Sequence, residues 1–234
     1  VDSSRTITVS GLDLAAVNSG YCRVEARANS GAWPPVEITV LEHQPIELKR
    51  KDFVGRAELA VETAALAAGS DLVAIEDYVR RVGKTNTTAY ECGEYVGAVK
   101  HLVHRQGLDI LLVPTTTMRS MLKVPTGKDG KKFIMRWVEE SFGFKPPYGR
   151  EKQRSDVADA FVHAYIAAVY RFLREGVLTM GDLNEREHRT FYGNPDPRKA
   201  HFYLGILEKP DIHIKGEIEN GKPKEEGDWP EHVA

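Results

Sequence analysis

Apolar and polar residues alternate singly in two stretches near the start of the chain. Ile7, Val9 and Gly11 alternate with Thr6, Thr8 and Ser10, and Cys22, Val24 and Ala26 alternate with Tyr21, Arg23 and Glu25. A period of two predicts two strands, with a tight turn between them at Asn18-Ser19-Gly20. Val36, Ile38 and Val40 continue the alternation through residues 36–43. Three consecutive short strands predict an antiparallel meander.

The period changes after residue 52. Phe53, Ala57, Ala60, Val61, Ala64 and Ala65 recur at spacings of three and four, which predicts a helix over 52–69 capped by Gly69. "DLVAIEDYV" (71–79) is a nearly continuous apolar run, as expected of a strand buried on both faces. A long helix follows over 87–107, with Cys92, Tyr95, Val96, Val99, Leu102 and Val103 on one stripe. "LDILLVP" (108–114) reads as a second buried strand. The next stretch, 115–130, is expected to be a loop, because Pro125, Gly127 and Gly130 exclude a continuous helix.

Residues 131–143 form a helix with Ile134, Trp137, Val138 and Phe142 inward, and 145–154 an exposed basic loop. The run 155–173 is apolar on almost every face and so predicts a buried helix. Three strands followed by alternating helices and strands predict an α/β domain with a mixed five-stranded sheet flanked by helices, spanning residues 1–175. Residues 176–234 read as a C-terminal appendage whose last twenty residues are disordered. No internal repeat or glycine-rich phosphate loop is present.

Composition narrows the class. The chain of 234 residues is 41% hydrophobic and 28% charged, without the roughly 20 consecutive apolar residues that a membrane span needs. No basic segment followed by an apolar core begins it, so no signal peptide is expected. Cys22 and Cys92 lie within apolar patterns and read as core residues of a reducing, cytoplasmic compartment. The net charge of −2 conceals an asymmetry: residues 119–154 carry 10 basic and 4 acidic side chains. Such a block fits contact with a phosphate backbone, or else a solvated lysine-rich loop.

Acids fall where core packing does not ask for them. Asp13 ends the first strand between Leu12 and Leu14, Glu76 and Asp77 end the fourth, and Asp156 and Asp159 open the last helix. Each has a local reading: Asp13 as a turn cap, Glu76 as an ordinary strand-end acid, Asp156 and Asp159 as a helix cap. Taken jointly they differ, because strand ends and helix N-termini converge at one edge of an α/β sheet. Carboxylates gathered there repel unless a cation holds them, and hard oxygen donors suit Mg²⁺ or Mn²⁺ rather than zinc. Two such ions about 4 Å apart hydrolyse a phosphodiester with water. His163, one turn beyond Asp159, lies near this site or simply packs in the helix; packing is expected.

At these residues the sequence resembles the RuvC-type Holliday junction resolvases, of the ribonuclease H-like superfamily. "GLDLAAVNSGYCRV" is similar to the family's first two strands and "VAIEDYV" to its glutamate strand. "VPTTTMRSMLKVPTGKDGKKFIMRWV" resembles the family's Pro…Lys…Gly…Lys stretch, and "SDVADAFVHAYIAA" its Asp-x-x-Asp-Ala helix. The resemblance spans roughly residues 5–175 and a phage-type member fits it. It implies a ribonuclease H-like fold, with Asp13, Glu76, Asp156 and Asp159 as catalytic metal ligands for Mg²⁺, for which Mn²⁺ substitutes.

The resemblance also implies a crossover junction endonuclease that acts as a homodimer on branched DNA, four-way junctions foremost. The helix at 87–106, with Tyr90, Tyr95 and Val99, is a candidate for its interface. Tyr78, beside Val79 at the family's wedge position, and Arg119, Lys123, Lys128, Lys131, Lys132 and Arg136 are the expected DNA contacts. Two other readings share the fold. "GLDLAAVNSG" also resembles the first phosphate loop of actin/Hsp70-like ATPases, although their second phosphate loop and adenosine loop are missing here. A domain that binds branched DNA without cutting is the other, and has little reason to keep four acids.

Overall fold

In a computed structural model of the chain, the described residues are 5–15, 17–50, 52–77, 86–127, 129–192 and three short strands at 205–207, 218–219 and 222–223, with backbone alone for 86–89, 192 and those strands. Alternation builds the N-terminal meander as expected. β1 (Thr6–Asp13) pairs antiparallel with β2 (Asn18–Ala28), and β2 with β3 (Val36–Glu47). Asn18, Ser19 and Gly20 belong to β2, where Gly20 pairs with Asp13. The connection thus lies between Asp13 and Asn18, ahead of the small residues expected to form it. Ser19 closes it: its Oγ accepts from Ala15 N at 3.0 Å and lies 3.2 Å from Ala15 O.

β4 (Leu72–Asp77) runs parallel to β1, and β5 (Ile110–Pro114) parallel to β4. The crossover from β4 to β5 is α2 (Asn86–Arg105), and α1 (Phe53–Leu66) precedes β4. These five strands form the expected mixed sheet. A short β6 (Gly205–Leu207) from the C-terminal segment adds antiparallel to β5, giving the order β3-β2-β1-β4-β5-β6.

The sheet separates two cores, and the period of two decides which side chain enters which. Ile7, Val9, Cys22, Val24, Leu72, Ala74, Leu111 and Val113 face the C-terminal helices. Leu12, Tyr21, Val73, Ile75 and Ile110 face α1 and α2. Tyr95 and Val99 are buried in this second core, so of the three residues named for an interface only Tyr90 is exposed.

Three boundaries differ from the pattern. Thr115–Leu122 is a helix, α3, rather than loop; it ends at Lys123, whose φ of 55° is left-handed. α4 (Asp129–Phe142) begins earlier than expected. α5 (Glu151–Arg174) also starts earlier, with Arg150 as its N-cap, so Asp156 and Asp159 lie inside the helix and cap nothing. Beyond α5, Leu178 joins the core and α6 (Glu185–Tyr192) follows. Within the last twenty residues, Ile218–Glu219 and Lys222–Pro223 pair as a small antiparallel ladder, β7 and β8; the others lie outside the described residues. Among the described residues, no helix is long and apolar enough to cross a membrane.

Candidate metal centre

Strand parity sets the site. Asp13 shares the face of Val9 and Gly11, and Glu76 that of Leu72 and Ala74, so both carboxylates emerge on the α5 side. The parallel register pairs Leu12 with Ile75, which leaves Asp13 and Glu76 as neighbours one step further along. Asp77 points the other way and pairs with Lys100 of α2 at 3.2 Å. Of the two acids ending β4, parity therefore selects Glu76. Its carboxylate accepts a short hydrogen bond from Thr115 Oγ1, at the start of α3.

Two glycines bring the helix to the strands. A Cβ on Gly11 would overlap the backbone of α5 at Ala160 and Ala164, and one on Gly20 would overlap it at Asp156. Lacking them, β1 and β2 accept α5 in direct backbone contact. Spacings of three and four then put Asp156, Asp159 and His163 on the α5 face above Asp13. One ligand atom each from Asp13, Glu76 and His163 lies within 4.8 Å of the others. Asp156, 4% exposed, is held apart from this trio, accepting from Lys131 Nζ at 2.9 Å; the same ammonium donates to Ser155 Oγ at 3.0 Å.

Crowding shifts the acids. Burial, then the charges of Glu76 and Asp159, raise the Asp13 carboxyl well above the usual carboxylate range. Burial also pushes Asp159 up to about 7; Lys131 opposes this shift, and Glu76 and Asp156 add to it. Burial lowers His163 to about 4 against the pull of Glu76, leaving a neutral ring at pH 7. Asp159 Oδ1 and His163 Nδ1 are buried with no hydrogen-bond partner among the described residues. Asp13, Glu76 and His163 converge on one point, with Asp159 beside them on the helix face, and this set of oxygen and nitrogen donors fits a divalent cation.

No family model and no curated protein matches the chain. Among solved structures, RuvC of Thermus thermophilus in complex with a Holliday junction substrate aligns at a TM-score of 0.50 and 15% identity, over 73% of this chain and 96% of that one. A second Thermus thermophilus RuvC structure gives 0.50 and 16%, over 73% and 97%. The chain has the RuvC fold. The yeast mitochondrial Holliday junction resolvase Ydc2 aligns at 0.43 and 16%, over 70% of this chain and 77% of that one.

Around this RuvC fold the basic residues take different places. Lys131 is bound to Asp156. Arg119 is partly buried on α3, its guanidinium lying over Gly130, where a Cβ would stand 3.2 Å from Nη2. Lys123 is exposed at the end of α3, and Lys132 and Arg136 are exposed one turn apart on α4. Tyr78 and Lys128 lie outside the described residues. Thr115 was not singled out by the sequence; it lies two residues beyond Val113, the register partner of Glu76, directly after the strand-ending Pro114.

Proposed function

We propose that the chain is a divalent-metal-dependent endonuclease that cuts branched DNA, four-way junctions first. The observation that carries this reading is the meeting of Asp13 from β1, Glu76 from β4 and His163 from α5 within 4.8 Å, with the Asp159 charge acting on Asp13, in a fold shared with a RuvC in complex with a Holliday junction substrate. Asp13, Glu76, Asp156 and Asp159 are the proposed catalytic ligands of Mg²⁺ or Mn²⁺. When bound, such ions supply the charge that lets carboxylates and a phosphodiester share one site, and a water acidic enough to attack it. Residues 1–175 form the nuclease unit in this reading, and 176–234 its appendage.

The protein's own groups set the stage. Thr115 holds the Glu76 carboxylate, fixing which oxygen faces Asp13. Lys131 neutralises Asp156 until substrate arrives, and then is placed to meet a phosphate. Lys123, Lys132 and Arg136 supply backbone affinity without reading sequence, and Tyr78 a stacking surface at the branch. Two symmetric cuts require two such sites, so the active species is a homodimer. The exposed face of α2, with Tyr90, Gly93 and Gly97 one turn apart, is its proposed interface. A cytoplasmic location is part of the same proposal.

The test uses synthetic four-way, three-way and linear duplex DNA with Mg²⁺, Mn²⁺ or EDTA. Paired cuts in the four-way junction, abolished by EDTA and by Asp13→Asn with DNA binding retained, are expected. Metal-independent cleavage, or a fully active Asp13→Asn protein, overturns the reading.

A further inference from the structure

His163 sits in the middle of α5, which is buried almost without a break from Ser155 to Val169. It is 1% exposed, and its neighbours along α5 are alanine, valine, phenylalanine and tyrosine. A histidine kept there for packing has its ring nitrogens satisfied, because a buried polar atom without a partner costs free energy. Here Nδ1 has none among the described residues, while a ring nitrogen lies within 4.8 Å of a carboxylate oxygen on both Asp13 and Glu76. Asp159 Oδ1, one turn away on the same helix face, is orphaned too. The helix that carries the ring is fixed in place, since Gly11 lets α5 lie on the backbone of β1 at Ala160 and Ala164, on either side of His163.

We propose that His163 is a nitrogen ligand of a divalent cation held with Asp13 and Glu76, and that this mixed donor set makes the centre prefer Mn²⁺ over Mg²⁺. The inference rests on the metal-site reading of this same cluster and adds to it the nitrogen ligand and the choice of metal. An all-oxygen cage suits Mg²⁺, which binds imidazole poorly; replacing one oxygen by an imidazole favours the more nitrogen-accepting first-row ions. Manganese accepts both carboxylate and imidazole, so two acids and one histidine fit it better than they fit Mg²⁺. His163 thereby does what the acids cannot: it discriminates between cations of equal charge.

The experiment loads the full-length, DNA-free protein with Mn²⁺ and records the electron spin-echo modulation of the bound ion, with calorimetric titrations of Mn²⁺ and Mg²⁺ alongside. Imidazole nitrogen modulation is expected in the wild type and is lost in His163→Asn. In that variant Mn²⁺ affinity falls by at least about tenfold. Mg²⁺ affinity changes far less, and His163→Asp shifts the preference towards Mg²⁺. Circular dichroism of each variant confirms folding, and the wild-type nitrogen signal needs no variant at all. Mn²⁺ that binds in an Asp13-dependent manner without nitrogen modulation, or with modulation that persists in His163→Asn, overturns the histidine ligand while leaving the metal site standing. Mn²⁺ binding that Asp13→Asn does not weaken overturns both.

Discussion

Asp159 and His163 titrate in opposite senses, and the difference is measurable. The Asp159 carboxyl stands at about 7 in the folded protein against an ordinary value of 3.8. Between those values the folded state keeps a proton that the unfolded chain has shed, so this contribution is complete below about pH 4 and is lost as pH rises to 7. Asp13, also raised by burial and then by the charges of Glu76 and Asp159, acts in the same direction. His163, at about 4 against 6.5, contributes above pH 6.5 and is lost as pH falls towards 4. Above pH 6.5 the His163 contribution levels off while the loss from the acids continues. The metal-free protein should therefore lose thermal stability between pH 6.5 and 8, and Asp13→Asn should flatten that slope. Lys131 carries a second test at this scale, since it neutralises a buried carboxylate. Lys131→Ala should lower stability by roughly 1–3 kcal/mol, seen in urea melts. Adding Asp156→Asn should recover part of the loss, because the orphaned charge is then gone.

Backbone-to-backbone docking of α5 on β1 and β2 makes Gly11, like Gly20, hard to replace. Gly11→Ala places a methyl group against the Ala160 carbonyl. A destabilisation of about 3 kcal/mol or more is expected, or failure to fold. Gly97→Ala on α2 meets open space and should be neutral or mildly stabilising in a monomer, so denaturation of the two variants separates the cases. The strands were legible because alternation is a direct record of two cores. The first turn of α5, Glu151-Lys152-Gln153-Arg154, was not, since a polar helical turn leaves no apolar rhythm. α3 does carry one: Met118, Met121 and Leu122 are buried at helical spacing, but three threonines before them and the Pro and Gly after them hide it. The site was legible in part for the same reason. Strand-end acids stand out against an apolar run. A histidine in a helix that is apolar all round has no face to be read from, and the Lys131–Asp156 pair exists only once α4 lies against α5.

For the whole molecule, the basic side chains that remain exposed are the proposed means of holding DNA. Lys132 and Arg136 occupy one face of α4 and are free of the acid site, whereas Lys131 is not. Lys132→Ala with Arg136→Ala should weaken all branched DNAs about equally and reduce the salt slope of binding by roughly 0.9 for each phosphate no longer neutralised. An unchanged slope would place the DNA elsewhere. The sheet itself ends on one side at β6, three residues that return from the C-terminal segment to lie along β5. Without them, β5 would present its amide and carbonyl row to solvent a few residues from the Glu76 end of the sheet, a template on which another chain could grow. Removing residues 193–234 should accordingly leave the fold intact but turn the protein sticky, with light scattering rising over hours and a concentration-dependent gain in cross-strand structure. In that sense the tail works as a hem, keeping an otherwise open fabric from being stitched to its neighbours.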